Sequence, residues 1–152
     1  MPDRLSDAEK RIYGFVSSEA QDLYRRGVKD GPGWSNGLTR ALHRAGEALG
    51  YDVIDVPRNL IEFRPRTRSS AVAVVCKVQN STRVERILRD VADIVARRAD
   101  LRVLAFDPTT RYTQERLDLV QNAARGRQGC RFLAIGLSVR PLGEIPYRAW
   151  TT

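Results

Sequence analysis

Six consecutive apolar residues, Ala71-Val72-Ala73-Val74-Val75-Cys76, followed by Lys77-Val78-Gln79, constrain the fold more than any other stretch. Successive side chains of a strand point to opposite faces, so a run apolar at odd and even positions fits a strand covered on both sides. Such a strand belongs inside a sheet with helices above and below it. Downstream, Ser81 or Thr82 is placed to cap a helix whose apolar stripe is Val84, Ile87, Leu88, Val91, Ile94 and Val95. Leu101–Phe106 is a second buried strand. Strand, helix and strand form a β-α-β unit, with a right-handed crossover and a parallel pair.

Two helices precede this unit. Ser6 with Glu9 three residues on is a capping box, and Ile12, Phe15, Val16 and Leu23 follow at helical spacing. Lys29–Gly33 reads as a glycine-rich loop, and Trp34–Leu49 as the second helix, closed by Gly50. The period then changes to two. Tyr51–Val56 and Leu60–Arg66 read as strands joined by the turn Pro57-Arg58-Asn59. A fourth helix after the turn Asp107-Pro108 runs to about Ala124, and Arg131–Val139 is a strand. The tail beyond Pro141 has room for a short edge strand. The expected fold is α/β, a mixed sheet flanked by helices in the order α-α-β-β-β-α-β-α-β. The 152 residues fit one domain. Within it, 1–33 is an N-terminal helix and loop, 34–106 a core, and 107–152 a C-terminal helix and strand.

No apolar run approaches the roughly 18–20 residues of a membrane span, and the polar N-terminus does not resemble a secretory signal. Cys76 and Cys130 fall in apolar runs and read as small buried hydrophobes of a reducing compartment. With one histidine they make no zinc pattern. A cytoplasmic protein without a membrane partner is expected.

The net charge is +8, and 23 of the 26 basic residues are arginine; the lysines are Lys10, Lys29 and Lys77. This surplus is either the footprint of a polyanion, most often nucleic acid, or an arginine-rich coding bias spread over solvated faces. Location separates the two. Leu60, Glu62, Arg64 and Arg66 share one strand face, and Arg68 continues it if the strand extends. Arg64, Arg66 and Arg68 therefore form a basic stripe. The stripe is either a charged, Pro65-guarded edge or a track for a phosphate backbone.

Lys77 ends a buried strand, where an ammonium is either solvated or positioned in a pocket as a point charge. Gln79 shares its face. The acidic candidates are Glu47, Asp52, Asp55 and Glu62. A carboxylate from Asp55 or Glu62 near Lys77 would suit a divalent metal and an attacking water. His43 shares a helix face with Arg40 and Glu47, as in a surface ion pair. Trp34 and Trp150 read as packing anchors.

A helix with a glutamate, a β-hairpin with an acidic residue, a buried strand ending in Lys77, then helix and strand: Trp34–Phe106 resembles the PD-(D/E)xK, or restriction endonuclease-like, superfamily. Val72–Gln79, the helix after it and Leu101–Phe106 are similar to that family's central strand, crossover helix and next strand. The resemblance implies a restriction endonuclease-like fold and Mg²⁺-dependent cleavage of phosphodiester bonds in DNA or RNA. It makes Lys77 the motif lysine and Gln79 a supporting residue. It makes Glu62 or Asp55 the hairpin carboxylate and Glu47 the helix glutamate, with Glu62, Asp55 and Glu47 as the metal ligands. The departure is Val75, which stands where the family places Glu or Asp and cannot bind a metal. Three functions follow. One is a metal-dependent nuclease with Arg64, Arg66 and Arg68 on the backbone. The second is a non-catalytic nucleic-acid-binding or protein-assembly module on the same scaffold. The third is an interaction or oligomerisation domain, such as a homodimer, with no nucleic-acid role.

Overall fold

The computed structural model describes residues 4–28, 31–67, 71–107, 113–125, 129–137 and 145–152. Its elements are α1 (Asp7–Arg25), α2 (Gly31–Ala48), β1 (Tyr51–Val56), a 3-10 turn (Pro57–Asn59), β2 (Leu60–Pro65) and β3 (Val74–Gln79). They continue with α3 (Val84–Val95), β4 (Leu101–Phe106), α4 (Thr113–Ala123), β5 (Arg131–Gly136) and β6 (Tyr147–Thr151). The six strands form one sheet in sequence order. β1, β2 and β3 are antiparallel, β3, β4 and β5 are parallel, and β6 returns antiparallel to β5.

The sheet divides the core in two. Ile61, Phe63, Cys76 and Val103 face α1 and α2, where they meet Ile12, Val16, Leu38 and Leu42. Leu60, Val75, Leu104 and Phe132 face α3 and α4 and meet Ile87, Val91, Ile94 and Leu117. The alternation is the period-2 rule acting on strands apolar on both sides. Trp34 is buried in the first core and Trp150 in the second, stacked on Phe132 with ring centroids 4.8 Å apart. Cys76 is fully buried and Cys130 half-buried, both as free thiols, and burial pushes the Cys76 thiol up.

Three expectations are corrected. α2 begins at Gly31, inside the expected loop, because Pro32 has the backbone angle of a first helical turn and lacks only an N–H that would go unused there. β2 is not an edge, since β1 pairs along its outer side; β1 and β6 are the edges. Neither Ser81 nor Thr82 caps α3. Arg83 is the N-cap and makes no side-chain cap bond, while the Ser81 hydroxyl accepts from its N–H at 3.2 Å. The Asp107-Pro108 turn lies only partly within the described residues, and Arg68 lies outside them.

The capping box forms as expected: the Ser6 side chain accepts from the Glu9 N–H and Glu9 accepts from the Ser6 N–H. Glu9 is buried all the same, because its carboxylate also takes a two-point bond from Arg131 of β5, at 2.9 and 3.0 Å. Burial acts to raise the Glu9 pKa, but the Arg131 guanidinium and the Ser6 bonds outweigh it and hold it below the ordinary value of 4.5. A carboxyl with a lowered folded pKa adds stability above its unfolded pKa and loses it as pH falls through the folded one. Glu9→Gln keeps the capping geometry and removes this term. Between about pH 7 and pH 3, the urea midpoint of the wild type is therefore expected to fall further than that of the variant. An equal fall in both would refute the assignment.

Candidate functional site

β3 carries its side chains in two directions. Cys76 and Val78 pack toward α1 and α2, whereas Val75 packs among the α3 and α4 side chains. Lys77, two residues on from Val75, also points to α3. Its ammonium lies 2.6 Å from the Asp90 carboxylate, with side-chain exposures of 11% and 3%. The Gln79 amide donates to the other oxygen of Asp90, and its carbonyl accepts from the Ser81 N–H at 2.9 Å. Burial raises the Asp90 pKa, while the bond and charge of Lys77 act in the opposite direction. Lys77, Gln79 and Asp90 thus form one closed network at the carboxyl end of β3.

The other candidates do not join it. Asp55 lies on the opposite face of the sheet, since Tyr51 and Val53 of the same strand face pack with α1 and α2. Its carboxylate is 2.8 Å from Nε2 of His43 on α2. Glu62 shares the Lys77 face but sits toward the other end of the strands, opposite Val75. There it is buried and holds Arg64 at 2.5 Å and Arg97 at 3.5 Å. Val75 in turn pairs with Arg102, so one row across the sheet reads Glu62, Val75, Arg102. Glu47 is exposed on α2 and lines a groove with Arg40, His43, Arg44 and Asp55. Arg66 lies 3.5 Å from Asp52, both side chains more than half exposed.

These side chains do not fit the divalent cation that the resemblance implies. Asp55 lines one cavity with Lys77 but comes from the other sheet face and lies against His43, Glu62 is held by two guanidinium groups, and Glu47 is at the surface. Among the described residues no group of three or more His, Cys, Asp and Glu side chains gathers to hold a metal ion.

Two residues in this region escape a sequence reading. Asp90 is one; its signal is its position between Ile87 and Val91, inside the apolar stripe of α3, where a carboxylate needs a buried partner. Arg102 is the other. It is buried in β4 and donates to the backbone carbonyls of Ile94 and Arg97, at 3.3 and 2.6 Å, capping the end of α3. Its signal is of the same kind: it is the one charge inside the otherwise apolar strand Leu101–Phe106, where a guanidinium needs buried acceptors.

A cavity of about 510 Å³ opens at the carboxyl end of β3, on the hairpin side of Lys77. Its wall is built by Ser35, Asn36 and Thr39 of α2, Asn59 of the hairpin turn, and Asn80 after β3. Arg58 and Asn59 both have positive φ, 69° and 59°, which is unusual outside glycine. The turn is tied down by Arg58, whose guanidinium reaches Asp93 of α3 at 2.5 Å. Asn36, Thr39 and Asp55 also line the groove that carries Arg40 and Arg44, so cavity and groove adjoin. No helix among the described residues is long and apolar enough to cross a membrane. Comparisons with family models, with characterised proteins and with solved structures find no match for this chain.

Proposed function

We propose that this chain is a nucleic-acid-binding module on a restriction endonuclease-like scaffold, and that it binds rather than cleaves. The reading is carried by Arg40 and Arg44, which are exposed one turn apart on α2 and make no ion pair with any described residue. Free guanidinium groups at i, i+4 spacing beside a polar cavity suit phosphate oxygens on a nucleic-acid backbone. Arg64 and Arg66 are less available, because each already faces a carboxylate. The scaffold reading rests on the helix, hairpin and crossover around β3. Binding without cleavage rests on Val75 and on the dispersed carboxylates.

Anisotropy titrations of labelled DNA and RNA over a range of salt test this. Binding is expected to weaken with salt, and on duplex DNA each released contact contributes about 0.9 to the log–log slope. Arg40→Ala with Arg44→Ala should flatten that slope by nearly 2, and Arg64→Ala with Arg66→Ala by less. An unchanged slope in the α2 double variant removes α2 as the contact surface. No binding at low salt overturns the reading. Cleavage of DNA or RNA with Mg²⁺ or Mn²⁺ would replace it with the metal-dependent nuclease.

A further inference from the structure

The cavity at the end of β3 is polar, yet among the described residues it offers no unpaired cation. Lys77 is neutralised by Asp90, while the Asp55 carboxylate lies at the cavity wall, 2.8 Å from Nε2 of His43. A phosphate entering it would meet no free cation and one carboxylate, and like charge at short range is unfavourable. Three side-chain amides are uncommitted: those of Asn36, Asn59 and Asn80, all exposed, line the cavity from three separate elements and make no side-chain hydrogen bond to any described residue. A side-chain amide offers a donor and an acceptor side by side, which matches the paired donor and acceptor on a nucleobase edge. Val56, Leu60, Ile61 and Val78 add apolar wall for the flat faces of a ring. The volume lies in the range of sites that enclose a small organic group.

We infer that this cavity takes one unpaired nucleobase through its uncharged hydrogen-bonding edge, while the attached phosphates lie outside on Arg40 and Arg44. The inference rests on the nucleic-acid reading above and deepens it by naming the substrate class: a strand with an unpaired or extruded nucleotide. A base inside a duplex must unstack to enter, and that cost is least where the base is already unpaired. The same edge chemistry is carried by free nucleosides, so the test includes them.

The test compares a fully paired DNA duplex, the same duplex with one bulged nucleotide, the bulged duplex with an abasic residue at the bulge, and the four free nucleosides. The bulged duplex is expected to bind about 30-fold more tightly than the paired one, the worth of two net hydrogen bonds. The abasic residue should remove that preference, and Asn36→Ala with Asn80→Ala should bring the ratio close to one. Equal affinity for paired and bulged duplexes would overturn the inference and leave the binding reading standing. A preference that survives the abasic residue also overturns it, because the protein then reads the bend rather than the base. Free nucleosides binding with no response to the bulge would assign the cavity to a small molecule instead. Failure of every nucleic acid to bind at low salt overturns both.

Discussion

Lys77→Ala is expected to lower the free energy of unfolding by about 3–5 kcal/mol, the range for removing one partner of a buried ion pair. The Asp90 carboxylate would be left almost fully buried with Gln79 as its remaining partner. A solvated lysine would cost far less, so a loss below about 1 kcal/mol in urea denaturation would show the pair to be a surface one. Lys77→Met combined with Asp90→Leu should recover most of the loss, because apolar side chains of similar volume often replace a buried pair without penalty. The pH dependence gives a second check. Burial raises the Asp90 pKa above its ordinary value of 3.8. Its proton is therefore held more tightly folded than unfolded. Its contribution is greatest below the unfolded pKa and is lost as pH rises through the folded one. Removing Lys77 removes the charge that opposes this shift. The gap between wild type and Lys77→Ala should accordingly narrow as pH falls toward the ordinary aspartate range.

Gly46→Ala is expected to destabilise by about 1–3 kcal/mol, although alanine is the better helix former. A Cβ at Gly46 would stand 2.6 Å from Cγ2 of Val53 and 2.8 and 2.9 Å from two carbons of the Phe63 ring. α2 can lie this close to the hairpin only because position 46 has no side chain. Phe63 is fully buried and has nowhere to retreat. Gly14→Ala is the matched control: it lies in α1, is exposed, and has nothing within 4 Å of a built Cβ. There the same change should stabilise by about 0.8–1.0 kcal/mol. Thermal or urea unfolding of the two variants should thus move in opposite directions. A gain from Gly46→Ala would contradict the close approach of α2 to the sheet.

What could be read from the sequence is what depends on period and on near neighbours. The capping box needs only Ser6 and Glu9, and it forms. The unbroken apolar run into Val75 and Cys76 marks an interior strand, and the stripe of Ile87, Val91 and Ile94 marks the helix that covers it. Charge partners are another matter. Glu62 shows an acid beside Arg64, which is legible, but its second partner Arg97 comes 35 residues later. Asp55 and Lys77 look like candidates for one site; strand register turns them to opposite faces, where they take separate partners, His43 and Asp90, although both reach the rim of one cavity at the end of the sheet. Strand period fixes which residues share a face within one strand, but not how the faces of separate strands align. The arginine surplus was legible only as a number. Sorting it required the positions of the acceptors: Arg131 and Arg102 are structural, whereas Arg40 and Arg44 make no ion pair with any described residue.

The bond from Arg131 to Glu9 spans 122 residues, and the Tyr13 hydroxyl donates to the Ile145 carbonyl across 132. During synthesis, which runs from the N-terminal side and lets early segments organise first, α1 leaves the ribosome long before either partner exists. It can lie against α2 at once, but Glu9 has no guanidinium to meet until β5 has been made and placed. The first helix of this chain is therefore the last to be fastened, and its fastening reports that the far side of the sheet is in place.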